Sequence, residues 1–547
     1  MSPGSGRAVT IDSPVRSWVL SSTLFARSSN MEPKPQVAPL VNLVNDALLD
    51  PKACELMRTL TSTLDELRTQ VLAARQDRRA QLAAGEVSLL EATAHIRSTK
   101  WTVDPLPLSM QARRVELLGG CSQLELVQGL NSGAMSYVAD LWNLSATDTK
   151  SVLEAHHNLI EAAHHRSSVS SSTEGDQHIN ASSTTRLMFA PRPLQITEPG
   201  VQLNGAPVCA TIFDLVLFCV QNGRELVARQ QGVLLYLRHV EGHLEARYHD
   251  RLFDLLEEHL DLPRGTIRAT VMLDSISASL EIEEILFELS HHSAGVSLDL
   301  QAYAADHIAL FSGADRKPLP DRETIGLNAP FLRTLSLLAI GAAHRRGAHA
   351  IGAPAFVLPP DDEGRLRSGY LEMLADKERE AVDGHDGTLV GHPGLVTAAM
   401  VEFNKSMPMA HQLSFQRHDE ISPKDLVEPP VGTISVDSLV SILRTSLRAL
   451  AYYHRGERTV VQGGRLHDRS SVQLAIALLW QWNHSREGVI SSSGLEVHED
   501  LLRYLVKKET EKLFAEASPE LRAAGKQAAD DLLGLVLGDR YPKLTCR

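Results

Sequence analysis

The chain has 547 residues, of which 43% are hydrophobic and 22% charged, a composition that predicts a globular protein with a large core. Its 54 basic and 67 acidic side chains give a formal charge of −13, which argues against a nucleic-acid partner. No apolar run approaches the roughly 18 residues needed to cross a bilayer, so a membrane protein is not expected.

The first 40 residues are predicted to form a disordered or targeting tail. Residues 1–35 are rich in serine and carry three arginines, a composition that weakly resembles an organellar transit segment. Five cysteines lie far apart without a CxxC pair, which favours a reducing, intracellular compartment. The final residues Leu-Thr-Cys-Arg are not the Ser-Lys-Leu peroxisomal address. Cytoplasmic, peroxisomal and mitochondrial locations therefore all stay open.

Two stretches with a helical sequence pattern flank a long region in which strand-like and helix-like segments alternate. Residues 44–98 have apolar side chains at helical spacing, and we interpret residues 41–110 as an N-terminal helical clasp. Residues 111–415 alternate short extended segments with helix-length stretches, the pattern of a (β/α)8 or TIM barrel. Within that region, residues 166–185 are a Ser-rich insert interpreted as a surface loop. Residues 421–547 read as a C-terminal helical domain.

Eight segments of the alternating region are predicted to be the barrel strands. They are rich in Val, Ile, Leu and Tyr, and several end in a polar residue, as expected where strand ends line an active site. The predicted strands are Val115–Leu118, Ser136–Asp140, Leu187–Arg192, Val233–His239, Ile267–Asp274, Gly295–Leu300, Ala348–Ala353 and Thr388–His392.

Several sequence blocks, in order, carry a family resemblance. Residues 262–270 read LPRGTIRAT, residues 384–388 read GHDGT, residues 392–395 read HPGL and residues 480–482 read WQW. These blocks resemble the malate synthase family in its short, single-chain form, and the resemblance covers roughly residues 44–515. It implies an α/β fold, a TIM barrel with helical domains at both ends.

The resemblance also implies a chemistry. The family condenses the acetyl group of acetyl-CoA with glyoxylate, the reaction of the glyoxylate cycle, and then hydrolyses the thioester. A carboxylate removes a proton from the acetyl methyl group, and an arginine stabilises the enolate oxygen. A magnesium ion held by two carboxylates orients the 2-oxo acid. The implied partners are an acyl-CoA and a small 2-oxo acid.

One catalytic position of the family is retained in this sequence and another is altered. Asp468 precedes Trp480 by the family's twelve residues and takes the position of the base. The position of the enolate-stabilising arginine holds Ala190. Arg192, two residues later, is the candidate to replace it, although a two-residue step along a strand moves a side chain by about 6–7 Å.

The metal positions are also altered. Asp274 takes the position of the first Mg²⁺ ligand, where the family has glutamate, and Ala302 stands at the second. Asp299, three residues before Ala302, is the candidate to replace the missing ligand. We therefore expect magnesium binding to be weakened.

Four residues are expected to bind substrate, and two other positions differ from the family pattern. Pro393 falls where the family contacts CoA, and the remaining predicted substrate-binding residues are Asp299, Leu300 and Gln301. Arg238 stands where the family has proline, and the family stretch RGAFAMGG reads RGAHAIGA, which places His349 at a phenylalanine position.

Two classes of function stay open. The retained base favours an acyltransferase, and the more apolar site around Ala190 and Ala302 suits a 2-oxo acid other than glyoxylate. The missing arginine and metal ligand favour a catalytically impaired relative that binds CoA or a protein partner. A CoA-thioester lyase or thioesterase is a further alternative.

Overall fold

Eight parallel strands follow one another in chain order around a closed barrel. This computed structural model describes residues 40–42, 45–145, 147–171, 175–361 and 363–544. The barrel strands are β1 Arg113–Gly119, β2 Ser136–Asp140, β3 Arg186–Ala190, β4 Val233–Leu237, β5 Ile267–Leu273, β6 Ser293–Leu298, β7 Ala350–Ala355 and β8 Gly387–Val390. Each of them overlaps one of the eight predicted strands, and the predicted TIM barrel is confirmed.

The predicted strands were too long at five of their carboxyl ends, and one of the extra residues, Leu300, instead begins a helix. Arg192, His239, Asp274 and His392 all lie beyond the last residue of their strands. These polar residues leave the sheet because their backbone or side chains bond to neighbouring loops; for example, the His239 amide donates to the Asp274 side chain at 2.8 Å. The polar residues expected inside the strands are therefore the first residues of the loops above them.

The interior of the barrel is filled rather than open. A fully buried ion pair, Arg113 with Glu116 at 2.8 Å, lies inside a shell of apolar side chains from β1 to β8. Tyr236 also donates a hydrogen bond to Glu116. Since the centre of the barrel is packed, space for substrates is expected only at its ends.

Sixteen α-helices surround and extend the barrel within the described residues. They are α1 Pro51–Ala83, α2 Ala94–Ser98, α3 Gln123–Leu130, α4 Thr149–Ala163, α5 Ala210–Ala228, α6 His243–Leu260, α7 Ile276–Ser279, α8 Ile282–Glu288, α9 Leu300–Phe311, α10 Pro330–Arg345, α11 Tyr370–Asp383, α12 Val396–Ser406, α13 Val436–Tyr453, α14 Arg469–His484, α15 Glu499–Leu513 and α16 Pro519–Leu537. None of the described helices is both long and apolar enough to span a membrane.

The two flanking helical regions hold the barrel at different places. Helix α1 packs on α5 and α6 outside the barrel. Helices α13 to α16 pack on one another, and α14 also packs on α9, which directly follows β6. This last contact brings the N-terminus of α14 to the carboxyl end of the strands.

Short strands occur outside the barrel. The Ser-rich insert, expected to be a loop, contains an antiparallel pair, Ser168–Ser171 with Gly175–His178. Other short strands are Leu40–Asn42, Thr197–Leu203, Ala206–Cys209, Val460–Gln462, Arg465–His467, Val489–Ile490 and Leu495–Glu496. Residues 39–547 form one compact unit, so the division into clasp, barrel and C-terminal domain stays a prediction. The predicted tail lies outside the described residues up to position 39.

Candidate active site

Five charged side chains meet where the carboxyl ends of the strands face α14. Asp140 ends β2, Arg238 follows β4, Asp274 follows β5, Asp299 follows β6, and Asp468 directly precedes α14. We call these five residues the mouth cluster. Each is between 0% and 3% exposed. Four carboxyl groups thus share one buried arginine, an arrangement that water does not screen.

Arg238 holds the centre of the mouth cluster. Its Nε donates to Asp140 Oδ2 at 2.7 Å and its Nη1 donates to Asp299 Oδ2 at 2.9 Å. Burial alone would lower the pKa of Arg238, but the surrounding carboxylates raise it above its usual value, so the guanidinium stays charged. Its Nη2 is buried and donates to no atom of the described residues. One strong donor is therefore left for a bound anion or oxyanion.

Asp468 uses its two oxygens for different purposes. Oδ1 accepts from the Ser471 amide at 2.9 Å and caps α14. Oδ2 accepts from Asn143 Nδ2 in the loop after β2. Burial, and next the charge of Asp299, raise the pKa of Asp468 to about 7. Such a carboxyl group exchanges a proton near neutral pH, which suits a general base.

Asp274 has one oxygen in use and one without a partner. Its Oδ2 accepts from the His239 amide at 2.8 Å, whereas its buried Oδ1 has no hydrogen-bond partner among the described residues. Burial raises the pKa of Asp274 well above its usual value. Trp142 Nε1 donates to His239 Nε2 at 3.2 Å, which leaves His239 Nδ1 protonated toward Asp274, 3.4 Å away.

The residues of the mouth cluster fit a magnesium ion poorly. Asp274 offers one unpartnered oxygen, but Ala302 offers none from its side chain. Asp299 has both oxygens in use, because Oδ1 accepts from the Ala302 amide at 3.0 Å while Oδ2 accepts from Arg238 and from Ser470 at 2.8 Å. The guanidinium already neutralises charge that a divalent cation would otherwise balance. Asp299 is thus a helix cap and an arginine partner in this structure.

Arg192 is not brought to the mouth cluster. Its guanidinium donates to Asp214 and to Glu198, each at 2.7 Å, and its backbone amide also donates to Asp214. These two carboxylates on the outer side of β3 hold the side chain away from the strand ends. The catalytic role expected for Arg192 has no geometric support in these contacts, and Arg238 takes the place that was expected for it.

The predicted substrate-binding residues fall into two groups. Asp299, Leu300 and Gln301 lie at the start of α9 beside the mouth cluster, and Gln301 accepts a hydrogen bond from Arg322. Pro393 and its neighbour His392 line a separate cavity of about 470 Å³. The other residues lining this cavity are Gln128, Asn131, Ser132 and Gln177. The structure thus places Pro393 at an accessible cavity, while its role in binding CoA stays a prediction.

Sequence reasoning missed two members of the site. Asn143 was not among the predicted site residues, and Arg238 was noted only as a departure from the family. Arg238 carried one usable signal: it is a polar residue directly after the apolar run Val233–Leu237, and such residues point into the active site of a TIM barrel. No local signal pairs Asn143 with Asp468, which is 325 residues away.

Comparisons with known proteins give this chain's relatives. Residues 186–429 match the family model described as "Malate synthase, TIM barrel domain". Malate synthase of Myxococcus xanthus (strain DK1622) is 32% identical over 477 residues, which are 86% of this chain and 87% of that protein. Malate synthase of Streptomyces clavuligerus is 32% identical over 533 residues, or 94% and 97% of the two chains. Among solved structures, a Haloferax volcanii malate synthase pyruvate/acetyl-CoA ternary complex covers 76% of this chain and 98% of its own, with 14% identity and a TM-score of 0.41.

Proposed function

Because this chain belongs to the malate synthase family, we propose that it is an acyl-CoA C-acyltransferase. It condenses acetyl-CoA, or another acyl-CoA, with glyoxylate or a different 2-oxo acid in a Claisen-type reaction. One observation supports this proposal above the others: the mouth cluster combines a carboxyl group whose pKa is about 7 with a cationic arginine that has an unused donor.

In the proposed reaction, Asp468 removes a proton from the carbon next to the thioester carbonyl. Arg238 Nη2 donates to the enolate oxygen as negative charge develops there, which is the task of the arginine that the family has at position 190. The enolate carbon then attacks the carbonyl carbon of the 2-oxo acid, so that a carbon–carbon bond forms, the carbonyl π bond opens to an alkoxide, and the alkoxide takes up the proton that Asp468 removed. Hydrolysis of the thioester finally releases CoA.

The side chains around the mouth cluster favour a 2-oxo acid larger than glyoxylate. Ala190 and Ala302 stand where the family has arginine and aspartate, and Leu300 at the start of α9 adds an apolar side chain beside Asp299. Removing an arginine and a carboxylate leaves volume that an alkyl substituent on the oxo acid would fill. Each methylene that a pocket accommodates changes discrimination by about 1–3 kcal/mol.

The test is thiol release from acetyl-CoA, measured with glyoxylate, with longer 2-oxo acids and with no oxo acid. We expect release to require an oxo acid and to fall to background in Asp468→Asn. Arg238→Ala should reduce the rate by at least about 10²-fold, the effect of losing an oxyanion donor. The matched control is Arg192→Ala, which removes an equally buried arginine away from the mouth cluster and should leave kcat of the folded protein within a few-fold. Unchanged release in both Asp468→Asn and Arg238→Ala would refute the proposal.

A second function has its own supporting observation. The side chains of the mouth cluster are at most 3% exposed and already neutralise one another in part, as expected for a catalytically impaired relative that binds CoA or a partner. Bound CoA without thiol release in any assay would favour this alternative. Thiol release that needs no oxo acid would indicate a lyase or thioesterase instead.

A further inference from the structure

A separate set of ligand-type side chains lies at the opposite end of the barrel, at the amino ends of the strands. His349 directly precedes β7 and Asp386 directly precedes β8, while His411 lies in the segment after α12. One ligand atom from each of the three residues lies within 4.8 Å of the other two. The two imidazole rings have their centroids 5.5 Å apart.

His349 lacks the partners that a buried histidine normally has. Its side chain is 0% exposed, and neither Nδ1 nor Nε2 has a hydrogen-bond partner among the described residues. Nδ1 of His411 is likewise buried without a partner. Because buried polar atoms nearly always have a partner, these three nitrogens point to a ligand between the rings. The similar family has phenylalanine at position 349, so packing alone does not require an imidazole there.

Asp386 is held in a fixed orientation beside the two rings. Its Oδ2 accepts from His344 Nε2 at 3.0 Å and from the Ala350 amide at 2.8 Å. Its Oδ1 accepts from the Gln412 amide at 2.6 Å, which also fixes the backbone next to His411. Such bonds to a carboxylate orient it for metal binding and leave further lone pairs on its oxygens.

The other charged groups near these three residues are accounted for. Arg113 lies in the barrel beside them, and its positive charge is paired with Glu116 at 2.8 Å. The second nitrogen of His344 contacts the Phe415 carbonyl oxygen at 2.7 Å, so both of its nitrogens have partners. Since both partners of His344 are acceptors, its ring is the charged imidazolium, which pairs with the Asp386 carboxylate. The unpartnered nitrogens belong to His349 and His411.

We propose that His349, Asp386 and His411 bind a divalent first-row transition metal ion, with Zn²⁺ as the best-suited ion. Two imidazole nitrogens and one carboxylate oxygen suit zinc, whereas magnesium prefers oxygen ligands alone. Zinc ligands at about 2.0–2.1 Å from a tetrahedral ion lie roughly 3.3 Å apart. The three ligand atoms lie within 4.8 Å of one another here, so binding requires small rotations of His349 and His411 toward the fixed Asp386, with water in the fourth position. The ion fastens the segment containing His411 to the floor of the barrel.

A second cluster on the outside of the barrel serves as a matched control. Asp254, Glu257 and His292 are also within ligand distance of one another. There, however, His292 Nδ1 contacts Asp250 at 2.7 Å and Nε2 contacts Glu257 at 3.4 Å. Both nitrogens of His292 already have partners, so this cluster is a network of hydrogen bonds and ion pairs without an empty position.

The test uses the full chain, stripped with a chelator, incubated with Zn²⁺ alone and dialysed before its metal content is measured by mass spectrometry. We expect about one Zn²⁺ per chain in the wild type. Affinity should fall by at least about a hundred-fold in His349→Phe, which restores the residue of the similar family, and in His411→Ala. His292→Asn should keep the wild-type stoichiometry.

Three results would overturn the proposal. The wild type would bind no zinc tightly, as expected if a water molecule bridges the two rings. Alternatively, both His349→Phe and His411→Ala would retain stoichiometric zinc, or His292→Asn would lose it. Circular dichroism shows whether His349→Phe folds. If it does not, His411→Ala decides, because His411 lies on a partly exposed segment. The measurement does not depend on the acyltransferase reaction at the other end of the barrel.

Discussion

At the scale of single residues, Asp468 combines a structural and a chemical role. Oδ1 caps α14 through the Ser471 amide, so Oδ2 alone faces Asn143 and the mouth cluster. Asparagine preserves the shape of the side chain and an oxygen for the cap. Asp468→Asn therefore removes the ionisable group and keeps the cap, while the Asn143 side-chain amide has to turn over to present its oxygen to the new NH2 group.

The raised pKa of Asp468 predicts a pH dependence. Only the ionised carboxylate accepts a proton, so kcat/KM for thiol release should rise as the pH increases through an apparent pKa of about 7. Stability should change in the opposite direction: a carboxyl group whose pKa is raised by folding stabilises the protein less as pH rises from about 4 to about 7. Activity profiles and urea unfolding between pH 5 and 9 measure both effects. A rate limb near pH 4 would contradict the assignment. Asp468→Asn should reduce the pH-dependent loss of stability without abolishing it, because the pKa of Asp274 is also raised by burial.

The residues at the metal position predict weak magnesium binding. Ala302 supplies no side-chain oxygen, and both oxygens of Asp299 already accept hydrogen bonds. By isothermal titration calorimetry, we expect Mg²⁺ to bind at least about tenfold more weakly than to the Myxococcus relative, because an oxygen ligand is missing. Ala302→Asp should strengthen binding, whereas Asp274→Asn should remove what remains. Tight binding by the wild type would show that Arg238 gives way to the ion.

At the scale of elements, α1 is fastened to the barrel by buried ion pairs rather than by apolar contacts alone. Arg75 pairs with Glu245 while it is only 10% exposed, and Arg79 bridges Glu241 at 2.9 Å and Asp306 at 2.7 Å. Helix α1 thereby reaches the loop after β4, which begins with Arg238 and His239; Arg75 also donates to the His239 carbonyl oxygen at 2.6 Å. The clasp thus supports the backbone that carries the central arginine.

Removing one of these arginines should destabilise the protein strongly. Arg75→Ala leaves Glu245 buried without its partner, and breaking such a pair typically costs about 3–5 kcal/mol. The control is Arg58→Ala on the same helix, where the partner Glu55 is well exposed, and its free energy of unfolding should hardly change. Chemical denaturation of both variants measures the difference. Equal stability of the two would mean that α1 is held by its apolar face alone.

At the scale of the whole molecule, the barrel and the C-terminal helices close over the mouth cluster. The charged side chains there are almost inaccessible, which predicts that the proposed substrates reach Asp468 only when α14 moves away from the strand ends. Four carboxyl groups around one arginine also leave the cluster acidic, which opposes the approach of an anionic 2-oxo acid. Both features should slow the proposed reaction relative to an open site that holds a divalent cation.

These features predict slow turnover with glyoxylate. We expect the chain to release CoA about 10²–10³-fold more slowly than the Myxococcus relative under the same conditions, since Arg238 replaces the family's arginine only in part. The triple variant Ala190→Arg, Arg238→Pro, Ala302→Asp restores the residues of the similar family and should raise the rate. A wild-type rate equal to that of the relative would show that Arg238 fully replaces the arginine. A decrease in the triple variant would assign the site to a different reaction.

The sequence by itself determined the barrel and singled out the residue proposed as the base. The barrel strands are mostly apolar runs of four to seven residues, which local periodicity reveals, and Asp468 was selected by its spacing from Trp480. The ends of the strands were predicted less accurately, because the residue at which strand pairing stops depends on hydrogen bonds between side chains and other loops. Arg192 was wrongly expected at the mouth cluster because the local sequence does not show its two carboxylate partners, Asp214 and Glu198.

Only the tertiary structure decided which side chains share the site. Arg238 contacts Asp140, which is 98 residues away in the chain, and Asp299, which is 61 residues away. No local sequence pattern predicts that folding places this arginine between two carboxylates. The same holds for His349, whose isolation is visible only once the barrel closes around it. Strand formation depends on neighbours along the chain and can be predicted from them, whereas hydrogen bonding and desolvation at the strand ends depend on groups that only the complete barrel brings together.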